Sequence, residues 1–181
     1  MKPGIRIIGG RFRGRKIPVP DCPGLRPTTD RVRETLFNWL MPRMHEARCL
    51  DAFAGSGALG FEALSRGANA VVMLEKDAKA HASLQRVAET LKRPELQIIK
   101  TDTCIYLAEA STAFDIIFLD PPYHAGLLES CLAHIEKNRL LTAEGVLYVE
   151  AAAPLSPPAA FQVLREGRAG LSHYALWIWS R

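Results

Sequence analysis

Asp120, Pro121, Pro122 and Tyr123 stand directly after an apolar run, residues 114–119, that has the length and composition of a buried strand. A carboxylate, two stiff imino acids and an aromatic ring therefore gather at one strand's carboxyl end, where open α/β sheets bind ligands. Each proline fixes its own φ and biases the residue before it toward extended geometry, so the carbonyls of Asp120 and Pro121 point in set directions. The Asp120 carboxylate and the Pro121 carbonyl can then accept the two hydrogens of an NH₂ group. Held that way, the nitrogen lone pair turns out of conjugation and toward an electrophile, while Tyr123 stacks on the ring that bears the amine. Asp120, Pro121, Pro122 and Tyr123 are thus the candidate catalytic residues. In isolation the same four also fit an ordinary Pro-Pro turn with a half-buried tyrosine, so their meaning depends on what surrounds them.

The elements that must carry this corner alternate along the chain. Strands are predicted at 48–53, 70–75, 96–101, 114–120 and 145–151, and helices at 57–66, 78–92, 105–110 and 127–138. Such alternation implies a parallel sheet covered by helices on both faces. Ahead of it, Thr29 or Asp30 can cap a helix whose apolar face is Val32, Leu36, Phe37 and Leu40. After the Pro-rich stretch 152–158, runs at 161–165 and 171–179 read as a closing hairpin. Leu171, His173, Ala175, Trp177 and Trp179 fall on one face of its second strand, and His173 and the two tryptophans are expected to be packing residues.

The first strand of the alternation runs into a glycine loop. Gly55, Gly57 and Gly60 fit the Gly-x-Gly-x-x-Gly spacing that lets backbone approach a ligand at a helix N-terminus. Glu75, twenty residues after Gly55, can accept both hydroxyls of a ribose. A nicotinamide dinucleotide satisfies that much as well as a sulfonium cofactor does. Asp51 favours the sulfonium, because its charge suits an ammonium and a sulfonium better than a pyrophosphate. Asp102, after the third strand, is placed to accept from an adenine amine, with the backbone of Thr103 and Cys104 flanking the ring. The candidate cofactor contacts in the loop are Asp51, Phe53, Ala54, Gly55, Ser56, Gly57 and Gly60. Glu75, Lys76, Asp102, Thr103 and Asp120 supply the rest.

The chain of 181 residues, 48% of them hydrophobic, suits one domain with a small appendage. Its formal charge of +4 is unevenly spread: residues 1–33 hold nine Lys and Arg against two Asp, a net +7, which leaves −3 for the remainder. A basic arm on a mildly acidic body is the footprint of a polyanion binder, and nucleic acid is the expected partner. Two short strands around Gly9 and Gly10 would form this arm, with Phe12 as a stacking ring among its cations. The candidate RNA-binding residues are Arg6, Arg11, Arg13, Arg15, Lys16, Arg31 and Arg33. No apolar run approaches the ~20 residues needed to span a bilayer, and the first residues lack a signal-peptide core, so a cytoplasmic protein is expected. The four cysteines are widely spaced, with no Cys-x-x-Cys pair. They read as reduced packed thiols, and no metal site is expected.

In order along the chain, the loop 51–60, Glu75, Asp102 and the Asp-Pro-Pro-Tyr motif resemble the motifs of class I, Rossmann-like S-adenosylmethionine-dependent N-methyltransferases. That resemblance implies a seven-stranded, mostly parallel sheet with an antiparallel last strand, here with an N-terminal basic β-hairpin. It divides the chain into a basic hairpin and loop, 1–29, and a methyltransferase domain, 30–181. More narrowly, Arg6 to Ile17 and Leu25 to Asn38 are similar to the amino-terminal signature of the RsmD family. The likeness implies methylation of the exocyclic N2 of a guanine in 16S ribosomal RNA. It further implies S-adenosylmethionine as cofactor and ribosomal RNA within the small subunit as partner; a monomer is expected. The four catalytic candidates alone would equally suit adenine N6, cytosine N4 or a glutamine side chain. A nicotinamide oxidoreductase would share the glycine loop but give no reason for Asp-Pro-Pro-Tyr, and a silent RNA-binding assembly factor would give no reason for the pocket.

Overall fold

The computed structural model describes residues 4–21, 28–122 and 126–181. A two-stranded hairpin, β1 (Ile5–Arg6) and β2 (Lys16–Ile17), precedes α1 (Asp30–Met44). The alternating part follows as β3 (Arg48–Asp51), α2 (Ala58–Ser65), β4 (Ala70–Glu75), α3 (Ala78–Leu91) and β5 (Leu96–Lys100). It continues with α4 (Thr103–Glu109), β6 (Phe114–Leu119), α5 (Leu127–Lys137) and β7 (Leu141–Ala151), and closes with β8 (Phe161–Ala169) and β9 (Ser172–Trp179).

The large sheet has seven strands in the order β5-β4-β3-β6-β7-β9-β8. The β3, β4, β5, β6 and β7 pairings are parallel, and β9 runs antiparallel to both β7 and β8. The chain winds outward from β3 to β5 and then returns to β6 on the other side of β3. Strand order reverses there, which opens a crevice at the carboxyl ends of β3 and β6. This is the class I methyltransferase arrangement, with the last strand antiparallel as expected.

Alternation along each strand splits the core in two. Ile116 and Phe118 of β6 join Cys49, Val146 and Tyr148 under α1, α2 and α3, whereas Ile117 and Leu119 join Leu50, Leu147 and Trp177 under α4 and α5. The apolar face predicted for α1 is the one buried, and Thr29 is its cap, accepting from Val32 N. Strand β7 begins at Leu141, earlier than predicted, because Leu141 pairs with Phe114 before a register shift brings Val146 opposite Ile116. Strand β8 runs on to Ala169; as an edge strand with mostly exposed residues it lacks the alternation that announces a strand. Leu171 is not on the β9 face but in the turn before it, and is exposed. Trp177 is buried, and Trp179 stacks on Phe161 with ring centroids 4.6 Å apart.

The basic arm is fastened to the body. Ile7 and Ile17 belong to the same core cluster as α1 and α2. Glu62, fully buried on α2, accepts from Ile8 N and Gly9 N, both at 2.8 Å, and from Arg66 Nε at 2.7 Å. Ser65 Oγ accepts from Phe12 N and donates to Gly9 O. At Gly10, with φ of +74°, any Cβ would lie 1.9 Å from the Ser65 carbonyl oxygen, so the arm can approach α2 this closely only with glycine there.

One predicted RNA contact is corrected by this arrangement. Arg33 is wholly buried: its guanidinium lies 3.5 Å from Glu62 Oε2, donates to Asp30 Oδ1 at 2.6 Å and donates to the Arg6 carbonyl at 3.0 Å. It is an internal tie between α1, α2 and the arm, and no phosphate can reach it. Arg31, by contrast, is exposed.

Removing one partner of a buried ion pair strands the other charge, at a cost of about 3–5 kcal/mol. Glu62→Ala is therefore expected to lower the melting temperature by roughly 10 °C and to release the arm, read as faster amide exchange at Ile8 and Gly9. An unchanged melting temperature would refute this role.

Candidate active site

Asp51, the last residue of β3, is only 3% exposed and accepts from Gly60 N at 2.9 Å. The loop after it is laced to both neighbouring strands, with Ala52 N bound to Phe118 O and Ala54 N to Leu74 O. Glu75 closes the other side, accepting from Gly55 N at 2.8 Å and Asp77 N at 2.7 Å. Thr103 Oγ donates to Ala52 O and pins α4 beneath the loop. Gly57 enters α2 with no side-chain cap, so the helix presents first-turn N–H groups at the crevice. Gly60 serves packing as well: a Cβ there would lie 2.3 Å from Met73 Cε.

Asp120 follows β6 on the face shared with α1, where Thr28 Oγ1 donates to its Oδ2 at 3.3 Å. Pro121 is buried and Pro122 exposed. Tyr123 lies outside the described residues. On the next strand, Glu150 is 6% exposed. Its Oε2 accepts from the Tyr148 hydroxyl at 2.7 Å and its Oε1 from Ser172 Oγ. Neither Thr28 nor Glu150 was among the predicted site residues, although Glu150 is a carboxylate inside an otherwise apolar strand, which is itself a signal.

Three carboxylates, Asp51 and Glu150 buried and Asp120 half-buried, thus stand at the ends of three adjacent strands on one face of the sheet. Burial pushes Asp51 up to about 7, helped by the charge of Glu75 and opposed by the hydrogen bond from Gly60 N. Asp120 is raised well above the usual carboxylate range by burial first, then by the charges of Glu150 and Asp51, with the Thr28 hydrogen bond opposing. Tyr148 is raised too, by burial and the neighbouring Glu150. Among the described residues the ion pairs join Arg33 and Arg66 to Asp30 and Glu62, and none engages these three carboxylates. Such a corner suits a ligand that brings positive charge, and a sulfonium with its ammonium does so.

The remaining predicted cofactor residues lie at or just after the carboxyl ends of β3, β4 and β5. Phe53, Gly55 and Glu75 are half-buried, Ala54, Ser56 and Thr103 buried, and Lys76 exposed. Asp102 caps α4, accepting from Cys104 N at 2.9 Å, which leaves part of its carboxylate for other partners. On the arm, Arg6, Arg11, Arg13, Arg15 and Lys16 are exposed. Phe12 is ringed by the guanidinium groups of Arg11, Arg15 and Arg93, 5.9, 6.0 and 5.6 Å from its centroid. Arg93 comes from the turn after α3, so the basic surface extends beyond the segment that sequence marked.

Residues 5–178 match the family model described as conserved hypothetical protein 95. The ribosomal RNA small subunit methyltransferase D of Escherichia coli (strain K12) is 48% identical over 176 residues, covering 96% of this chain and 89% of that protein. The solved structure of the Escherichia coli protein yhhF superposes with a TM-score of 0.89 at 47% identity, covering 96% of this chain and 97% of that one. The Thermus thermophilus 16S rRNA N2 G1207 methyltransferase, solved with AdoMet and guanosine, superposes with a TM-score of 0.65 at 25% identity, covering 98% of this chain and half of its own.

The Asp51 carboxyl fixes a pH dependence. Its folded value of about 7 lies above the ordinary 3.8, so the stability it contributes is present below the lower value and is lost as pH rises through the upper one. The ligand-free protein should melt at progressively lower temperature from pH 5 to 8. The affinity for S-adenosylmethionine, measured by calorimetry, should rise across the same window as the carboxylate ionises. Asp51→Asn should flatten both profiles, and an unaltered pair of profiles would remove Asp51 from the cofactor site.

Proposed function

The chain belongs to the conserved hypothetical protein 95 family, the RsmD family of ribosomal RNA small subunit methyltransferases, and from that premise we propose that it methylates the exocyclic N2 amine of a guanine in 16S ribosomal RNA. It is a methyltransferase acting on ribosomal RNA, and its cofactor is S-adenosylmethionine. The observation that carries transfer to an amine is Asp120, held by Thr28 at the carboxyl end of β6 with buried Pro121 beside it, next to the strand-order reversal. The relative whose name specifies guanine N2 and 16S ribosomal RNA supports the choice of atom.

A guanine within a helix cannot reach this corner, so the base is extruded or already unpaired. The Asp120 carboxylate and the Pro121 carbonyl take the amine hydrogens and aim the nitrogen lone pair, with Tyr123 stacking on the base. When bound, S-adenosylmethionine supplies an electrophilic methyl group. Asp51, Glu75 and Asp102 would hold its amino-acid, ribose and adenine parts, in the crevice lined by the loop 53–60, Lys76 and Thr103. Asp120 acts through geometry and charge, and no covalent intermediate or strong base is required, because the alkylated nitrogen loses its proton readily. The exposed arm cations, Arg31 and Arg93 grip phosphates of the small subunit, and the protein works in the cytoplasm as a monomer.

Incubation with labelled methyl donor and either stripped RNA or assembled small subunits, followed by nucleoside analysis, should yield N2-methylguanosine. Asp120→Ala should lower turnover at least ~1,000-fold with cofactor affinity within about threefold of wild type, a change of less than ~1 kcal/mol. Equal loss of both would refute the role of Asp120, and a different methylated nucleoside would refute the guanine reading. Deleting the arm would take Ile7 and Ile17 out of the core, so its charges are better tested by replacing Arg11, Arg13 and Arg15 with Gln. That variant should bind RNA with a slope of log affinity against log salt shallower by about 2. An unchanged slope would make the arm purely structural.

A further inference from the structure

We propose that Glu150 accepts the N1–H of the guanine whose amine Asp120 and Pro121 hold, and so separates guanine from adenine; the inference rests on the guanine N2 reading above. Leu119 of β6 pairs with Val149 of β7 in parallel register, so Asp120 and Glu150 are the next residues on neighbouring strands. Such strands lie about 4.8 Å apart. Glu150 has the same parity as Tyr148, which packs in the cluster beneath α1, and Asp120 meets Thr28 on that side. The two carboxylates are therefore side by side on one face, and the charge of Glu150 is, after burial, the main influence raising Asp120.

Glu150 is also fixed in place. The Tyr148 hydroxyl holds one oxygen and the Ser172 hydroxyl the other, across the β7–β9 pairing. A carboxylate offers about four acceptor positions, so two hydroxyl donors leave it able to accept again without moving. That matches a base edge with two donors in a row, the N1–H and N2–H₂ of guanine. Adenine sets its amine beside N1, an acceptor, and would turn a lone pair toward the Glu150 carboxylate. The unused acceptor and the rigid tether point to discrimination built into the sheet rather than into a loop.

The test uses the full protein and small-subunit RNA carrying, at the position found to be methylated, either guanine or 2-aminopurine, which keeps the N2 amine but has an unprotonated N1. Wild type should methylate the 2-aminopurine RNA at least ~100-fold more slowly. Glu150→Gln should lose about as much on guanine RNA, yet its preference between the two bases should shrink below ~10-fold, because its amide can donate to N1. Glu150→Asp should retain the wild-type preference. Equal losses by Glu150→Gln on both RNAs would make Glu150 a brace for Tyr148 and β9 only, and would overturn the proposal. Should that variant not fold, the wild-type comparison decides alone: equal rates on the two bases overturn the role of Glu150 while leaving guanine N2 methylation standing. Failure of wild type to form N2-methylguanosine on guanine RNA overturns both readings together.

Discussion

A carboxylate removed from water must find donors, a countercharge or a proton, and this protein answers that demand in two ways. Glu62 receives two backbone N–H groups and two guanidinium groups, and so becomes the rivet between the arm and α2. Asp51, Asp120 and Glu150 receive hydroxyl or backbone hydrogen bonds but no cation among the described residues. The first arrangement is complete within the fold. The second leaves negative potential at the crevice, and a positively charged methyl donor is the natural complement.

Sheet topology decides where that potential collects. The reversal between β3 and β6 brings Asp51 and Asp120 together, and the parallel β6–β7 pairing adds Glu150. Because Asp120 lies on the face covered by α1, Thr28, just ahead of that helix, reaches it. The arm is tied to α2 and, through Arg33, to the first turn of α1. The arm and the segment that meets Asp120 are thus joined through α1 and one buried ion pair.

Much of this was legible in the sequence, because parallel strands announce themselves as short apolar runs; β4 occupies Ala70–Glu75, the predicted span. Asp120 was legible because a carboxylate and two prolines interrupt such a run. Arg33 misled because a charge in a helix's first turn ordinarily faces solvent, and what buries it is Glu62 on a different helix. Thr28 is separated by 92 residues from the carboxylate it meets, and Arg93 meets Phe12 only through the fold. Glu150 shows its burial in sequence, but its place beside Asp120 follows from strand order, which local pattern does not encode. The end of β8 was missed for a related reason: an exposed edge strand has no inward face to write a period.

That outermost strand has a consequence for how the molecule behaves in company. β8 presents its unpaired side to water with Gln162, Val163 and Leu164 exposed, the kind of rim onto which a stray strand could add and seed aggregation. The slip in register between Val163 and Arg165 bends the ladder where the apolar residues end, and Arg165, Glu166 and Arg168 follow as charges along the rest of the rim. Kinked and charged, the border of the sheet offers a poor template to an intruder.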